Sequence, residues 1–152
     1  MIIERIVKAT KEEDLEITGV TLLSKEEYWN YREWIPVAHA CWWLRSPGSS
    51  QYYAANVDAD GSLNDIHVTI DDASVRPVLT IRNLKSAYLH IGDEFILAGY
   101  TWTVIGEGLA IMNDTLENVV FRSDWDAPDA NDYEASDVKK WLNNWAKENG
   151  IM

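Results

Sequence analysis

The sequence predicts an α+β fold in which an antiparallel meander of strands packs with two short helices. Three observations lead to this prediction. Four short strand patterns fall within residues 41–81, a helix-capping box opens at Ser24, and an amphipathic helical pattern follows Ser136. The chain has 152 residues, 47% of them hydrophobic, which is enough to bury the core of a single domain spanning residues 1–152.

The first helix is predicted at about residues 25–33. In the segment SKEE (24–27) the serine side chain can accept from the amide three residues on, while Glu27 can reach back to the serine amide. Pro36 ends the helix because proline has no amide hydrogen to donate.

Four strands are predicted at residues 41–45, 52–57, 66–70 and 75–81. The Ser-Pro-Gly sequence at 46–48 is typical of a turn. Residues 58–62 are better explained as a hairpin turn than as a calcium loop, because Gly61 can take the positive φ that such turns need. Consecutive strands joined by short turns predict the meander.

The second half of the chain predicts more strands and the second helix. Strand patterns cover residues 95–100, 101–105 and 109–112, and a polar loop follows at 122–135. The second helix is predicted at 137–148. Its apolar face, at positions i, i+3, i+4 and i+7, consists of Val138, Trp141, Leu142 and Trp145.

Composition excludes several classes of protein. The net charge of −12 argues against direct nucleic-acid binding, which needs Lys and Arg to replace phosphate counterions. No apolar run approaches the ~20 residues of a membrane helix, and the start of the chain lacks a signal-peptide core. We therefore expect no membrane association and a cytoplasmic location, in the host cell if the protein is phage-encoded.

Neither a catalytic nor a metal-binding constellation is evident, so we expect no enzymatic activity and no cofactor. Cys41 is the only cysteine, which excludes an internal disulfide and a cysteine-based zinc site. We expect it to be a small buried residue, although pairing with His39 as a reactive thiol is the alternative. The spacing of His39, His67 and His90 supports no shared metal ion.

Two groups of side chains are candidates for binding. Four carboxylates lie in the polar loop, at Asp124, Asp126, Asp129 and Asp132; calcium binding is the alternative to a solvated loop there. Trp42 and Trp43 alternate on a strand, so one of them could remain exposed and form an aromatic platform with Tyr52 or Tyr53. Arg45 and Arg76 could form buried pairs with carboxylates, and binding of a ligand carboxylate or a sugar is the alternative.

The segments WWLRSPG (42–48) and VRPVL (75–79) resemble a bacterial and phage domain family of unassigned function. That family is distantly similar to the C-type-lectin-like fold of formylglycine-generating enzymes and of the variable proteins of phage diversity-generating systems. The segments TGVTLLSKEEY (18–28), IGDEFILAGYTWTVI (91–105) and SDVKKWLNNW (136–145) extend the resemblance. In the family the last two precede the signature, so the chain resembles a circular permutation, with the end of its last helix near the chain start.

The resemblance implies a C-type-lectin-like fold and a non-enzymatic recognition module that binds a protein or a glycan. The paired cysteines of the formylglycine enzymes are not present, so their catalysis does not transfer. The expected ligand-binding residues are Trp43, Gln51, Tyr52, Asn56, Asn64 and His67. The alternative is an acidic inhibitor that mimics nucleic acid and blocks a bacterial nucleic-acid-binding or defence protein. Its carboxylates would come from segment 114–137, which contains the four loop aspartates, and from Asp58, Asp60, Asp65, Asp71 and Asp72.

Overall fold

The computed structural model describes residues 7–9, 15–84 and 87–151. These residues form two helices, α1 (Lys25–Tyr31) and α2 (Asp137–Glu148). The strands are β1 (Val7–Ala9), β2 (Ile17–Thr21), β3 (Trp42–Pro47), β4 (Tyr53–Val57), β5 (Leu63–His67), β6 (Val78–Ile81), β7 (Glu94–Leu97), β8 (Tyr100–Gly106) and β9 (Leu109–Met112). They are arranged in two sheets, which confirms the α+β class.

The larger sheet has its strands in the order β1-β7-β8-β9-β6-β2. β1 runs parallel to β7, and the other neighbouring pairs are antiparallel. The β7–β8 hairpin turns at Ala98 and Gly99, which both have positive φ, at 54° and 81°. The three strands predicted in the second half of the chain are therefore present, and they form the middle of this sheet.

The smaller sheet has the order β3-β4-β5, so the meander contains three strands and not the predicted four. The β4–β5 hairpin is confirmed, with Tyr53 opposite His67 and Val57 opposite Leu63. β5 begins directly after the turn and ends at His67, three residues earlier than predicted.

The fourth predicted strand, β6, belongs to the larger sheet, where it lies between β2 and β9. Its residues Val78, Leu79 and Ile81 are all buried, so both faces of the strand are covered, as in a central strand. It begins after Pro77, which has no amide to donate to a ladder, and not at the predicted residue 75.

The predicted turn at residues 46–48 is also displaced, because β3 continues through Pro47. The pairing of β3 with β4 shifts register between Trp43 and Pro47. Such an irregularity is one of the few places where a sheet accommodates proline. The chain turns instead at 49–52, just before β4.

Trp42 and Trp43 point to opposite faces of β3, as the alternation predicts, but neither is exposed. Trp43 lies in the main core, where its indole N–H donates to the Val119 carbonyl at 2.7 Å. Trp42 lies in a second core, edge-on to Tyr28 with 5.6 Å between ring centroids. Both faces of the signature strand are therefore used for packing.

Both helices begin where the sequence predicts. The capping box at Ser24 is formed in both directions, and a 3-10 turn at Arg32–Trp34 continues α1 over the rest of the predicted range. Ser136 caps α2 by accepting from the amide of Lys139 at 3.1 Å. The predicted apolar face of α2 packs on the main core.

The end of α2 lies beside residues 15–17. Gly150 and Ile151 line one cavity of about 360 Å³ together with Leu15 and Ile17. The sequence predicts that this helix ends near the start of the chain. Residues 1–6 lie outside the described residues, so the observed proximity concerns residues 15–17.

Arg45 joins the signature strand to the first helix. Its guanidinium donates to the Leu22 carbonyl at 2.8 Å and to the carboxylate of Glu27. The predicted pairing with a carboxylate is therefore confirmed for Arg45, but the pair is only partly buried, with 35% of the Arg45 side chain and 28% of the Glu27 side chain exposed. Burial alone would raise the pKa of Glu27. The hydrogen bonds from Arg45 and from the Ser24 amide, with the charge of Arg45, outweigh burial and lower that pKa below its ordinary value.

We predict that Glu27→Gln lowers the free energy of unfolding at pH 7 by about 1 kcal/mol, because a charge-assisted bond and half of a capping box are weakened. Since the folded-state pKa is lowered, this stabilisation is complete above the ordinary pKa of 4.5 and is lost as pH falls through the folded value. Urea unfolding from pH 7 down to acidic pH measures both effects.

The matched control is Glu26→Gln, which removes an exposed carboxylate from the same first turn of α1. Equal losses of stability for the two variants at pH 7 would contradict a special role for the Glu27–Arg45 pair.

Candidate recognition surface

The register of the β4–β5 hairpin brings three aromatic rings together at one end of the smaller sheet. Tyr53 and His67 are directly paired, and their rings meet edge-on with centroids 6.0 Å apart. Tyr52 precedes β4, and its ring stacks on His67 with 6.3 Å between centroids and 4° between planes. Two of the predicted ligand-binding residues, Tyr52 and His67, therefore lie side by side.

Trp125 adds a fourth ring, from the polar loop that follows β9. Its centroid lies 5.9 Å from that of Tyr52 and 6.0 Å from that of His67. Tyr52, Tyr53 and Trp125 remain 37%, 38% and 47% exposed. We call Tyr52, Tyr53, His67 and Trp125 the aromatic surface.

The loop at 122–135 is fixed against the smaller sheet at two points. The amide of Arg122 donates to the Val68 carbonyl at 3.1 Å, just beyond β5. Asn131 donates from its side chain to the Ser50 carbonyl at 3.0 Å, in the turn before β4. These bonds lie on either side of Trp125 in the sequence, so they set the position of its ring over Tyr52.

The four predicted carboxylates of this loop divide into two pairs. Asp129 forms an ion pair with Arg122 at 3.3 Å, and Asp132 caps the following 3-10 turn by accepting from the amide of Glu134 at 3.0 Å. Asp124 and Asp126 are exposed, and neither carboxylate has a partner among the residues that the structure describes. Two free carboxylates thus flank Trp125 in the sequence Asp-Trp-Asp.

The other predicted ligand-binding residues lie elsewhere. Trp43 and Asn56 are fully buried, and the Asn56 amide donates to Cys41 Sγ and to the Asp58 carboxylate, at 2.9 Å in each case. Gln51 is exposed in the turn beside the aromatic surface. Trp43 and Asn56 therefore present no side-chain surface to a ligand.

Asn64 lies at the far end of the smaller sheet. It donates to the Asp58 carboxylate at 3.2 Å, next to the hairpin turn. The two ends of β4, Tyr53 and Val57, are four residue steps apart, which corresponds to about 13 Å along the strand. The carboxylates of the hairpin turn and those flanking Trp125 are therefore at opposite ends of the sheet.

Cys41 is partly buried beside Asp58 and carries no partner histidine. Burial raises the pKa of its thiol; the Asn56 hydrogen bond opposes this effect, and the charges of Asp58 and Asp72 add to it. Among residues 15–84 and 87–151, no three His, Cys, Asp or Glu side chains converge as metal ligands would. Nor does that part of the chain contain a helix with the length and apolarity needed to cross a membrane.

Residues 6–83 match a family described as "Domain of unknown function (DUF6273)". The chain belongs to this family. The match confirms the prediction of a domain family with unassigned function, and it includes the signature, β4 and β5. Comparison with curated proteins gave no match, and comparison with solved structures gave none.

Trp125 is the site residue that the sequence prediction missed. Its position depends on contacts between segments more than fifty residues apart, which no local pattern encodes. The one available signal was a large apolar ring between two aspartates in a polar loop, since such a ring has no local reason to be exposed.

We predict that Trp125→Ala lowers the free energy of unfolding by less than about 1 kcal/mol. The ring of Trp125 is half exposed and is not part of the buried core, so its removal leaves the core intact. Trp43→Ala should cost about 3–5 kcal/mol, since it empties a buried site and leaves the Val119 carbonyl unpaired. Urea unfolding of the two variants beside the wild type measures the difference. A loss of similar size in both would contradict the assignment of Trp125 to a surface that the fold does not require.

Proposed function

We propose that the protein is a non-enzymatic recognition module that binds a polypeptide segment bearing Lys or Arg. The observation that carries this proposal is that exposed rings lie beside free carboxylates: the Trp125 ring, between Asp124 and Asp126 in the sequence, meets the ring of Tyr52 edge-on. An exposed tryptophan attracts a cationic side chain through the face of its ring, and adjacent carboxylates add direct charge attraction.

The aromatic surface also has the rigidity that recognition requires. Each ring contacts at least one other, and the loop that carries Trp125 is bonded to the sheet on both sides. Binding therefore orders few side chains, which keeps the entropic cost of association low. Tyr and Trp are the residue types that most often dominate binding energy at protein interfaces.

An acidic inhibitor that mimics nucleic acid is the second candidate, and the net charge of −12 favours it. A mimic needs carboxylates spread over one continuous face. The Asp58 turn and the Asp124–Asp126 pair lie at opposite ends of the smaller sheet. This separation favours the recognition module over the nucleic-acid mimic. Both candidates predict binding to a basic partner, but only the recognition module predicts dependence on the rings.

We further propose that the family resemblance reflects a C-type-lectin-like scaffold in circularly permuted order. The proximity of Gly150 and Ile151 to residues 15–17 supports a rearranged connection, because joining these regions would require only a short linker. A cytoplasmic location is consistent with the single cysteine, which forms no internal disulfide.

An array of synthetic peptides tests the function. Peptides with Lys or Arg beside apolar residues are compared with the same peptides carrying Glu, and a glycan array is run in parallel. We expect the wild type to bind the basic peptides and to lose affinity as salt is raised. Trp125→Ala and the double variant Asp124→Asn/Asp126→Asn should each weaken binding by at least about tenfold.

Trp29→Ala is the matched control, because Trp29 is 56% exposed and lies on α1, outside the aromatic surface. Binding that is lost equally in this variant would contradict the assigned surface. Binding to glycans alone would overturn the choice of a polypeptide ligand. Binding to basic peptides that persists in Trp125→Ala but disappears with salt would favour the acidic inhibitor.

A further inference from the structure

A second candidate site lies at the opposite end of the smaller sheet, beside Arg76. A cavity of about 120 Å³ separates the segment 35–40 from the hairpin turn at 58–61, and Arg76 forms part of its lining. We call this space the Arg76 cavity. It shares no residue with the aromatic surface.

Arg76 is fully buried, and the structure satisfies only part of its guanidinium. Its Nε donates to the Met112 carbonyl at 2.8 Å, and its Nη2 donates to the carbonyls of Pro36 at 2.7 Å and Asn113 at 2.8 Å. Its Nη1 is buried without a hydrogen-bond partner. Two charged N–H donors are therefore left unpaired in the interior, which is costly.

The charge of Arg76 also lacks a counter-ion. The sequence predicts a carboxylate partner, but among the described residues none lies within ion-pair distance, and its three acceptors are neutral carbonyls. Burial lowers the pKa of Arg76 to about 10, and the charge of Asp114 opposes that shift only from a distance. The side chain therefore remains cationic at neutral pH, in a site that favours the arrival of an anion.

The other residues that line the cavity indicate which functional groups such an anion would carry. Arg32 and His39 belong to the lining, although the Arg32 guanidinium lies over the ring of Trp29, and Asp58 and Asp60 form an acidic side. The aspartates accept hydrogen bonds from neutral amides and hydroxyls, from Asn56, Asn64 and Ser62. A ligand with a carboxylate at one end and a donor at the other matches this division of charge.

The volume limits the size of the ligand. A cavity of 150 Å³ holds benzene, with six carbons, so the Arg76 cavity of about 120 Å³ corresponds to roughly five non-hydrogen atoms. The cavity also opens to solvent beside the exposed residues Val37 and Asp60. Its wall includes Trp42, whose ring lies 4.9 Å from the Arg76 guanidinium carbon. Glycine has this size, and alanine and lactate exceed it by one atom, for which the open side of the cavity leaves room.

Access to Nη1 depends on the segment 35–40. The Pro36 carbonyl is bonded to Arg76, which holds the segment over the guanidinium. His39 in this segment has φ of 53°, in the left-handed region that favours glycine, so its backbone is strained. Nη1 is itself buried, so a ligand contacts it only when this segment is displaced.

We propose that the Arg76 cavity binds a small carboxylate that also carries an ammonium or hydroxyl group, such as a small amino acid or hydroxy acid. The carboxylate accepts from Nη1 of Arg76, and the ammonium or hydroxyl group donates to Asp58 or Asp60. This site is independent of the aromatic surface, and its occupation does not depend on the polypeptide ligand proposed above.

Titration of the full chain, followed by the NMR resonance of the Arg76 Nε–Hε group, tests this proposal. Glycine, lactate, acetate and chloride are the probes, added at constant ionic strength. We expect glycine and lactate to shift this resonance saturably and to raise Tm, acetate to act more weakly because it lacks the donor, and chloride to leave both unchanged. Equal responses to chloride and to the carboxylates would indicate an adventitious ion only and would overturn the proposal, as would the absence of any saturable shift.

Two variants test whether the NMR response arises from ligand binding in the Arg76 cavity, and both keep Arg76 in place. Ala38→Leu adds bulk to the cavity lining and should weaken glycine binding by at least about tenfold, because the ligand and the new side chain compete for the same space. Ile96→Leu is the control, since Ile96 is 43% exposed on β7 and does not line the cavity. Unchanged glycine binding in a folded Ala38→Leu variant would contradict the assignment of the ligand to this cavity.

Discussion

The burial of both tryptophans of the signature is the constraint on which the rest of the structure depends. Trp43 anchors the main core and Trp42 the second core, so β3 needs a layer of protein on each face. α1 supplies part of one layer, and Arg45 secures it by binding Glu27. β3 therefore lies between the main core and the second core, and its tryptophan side chains are buried in these cores.

Because the tryptophan side chains of β3 are buried, we assign recognition to the segments that surround this strand. The turn at 49–52 and the end of β5 carry exposed rings, and the loop at 122–135 adds Trp125. At the other end of the same sheet, the second arginine of the signature crosslinks three carbonyls and retains two unpaired donors. The smaller sheet thus separates two sites of different chemistry, one aromatic and acidic, the other a small polar cavity.

Local sequence patterns correctly predicted the elements whose formation depends on residues close together in the chain. The capping box at Ser24, the apolar face of α2 and the β4–β5 hairpin each follow from residues within one or two turns of chain, and all three are present. The sheet to which β6 belongs depends on β2 and β9, which are distant in the sequence. Alternation likewise separates Trp42 from Trp43 but cannot reveal that both faces are covered.

Only part of the candidate site was predicted, because local patterns do not encode contacts between distant segments. The resemblance placed Tyr52 and His67 among the expected ligand-binding residues, and the predicted hairpin brings them together, whereas Trp125 reaches them only through long-range bonds. Indole N–H resonances of the labelled chain, recorded while a Lys-bearing peptide is added, test the central claim most directly. The account predicts that the Trp125 signal shifts while those of Trp43 and Trp102, bonded to buried carbonyls, stay in place. Movement of the buried indoles with an unchanged Trp125 signal would contradict it.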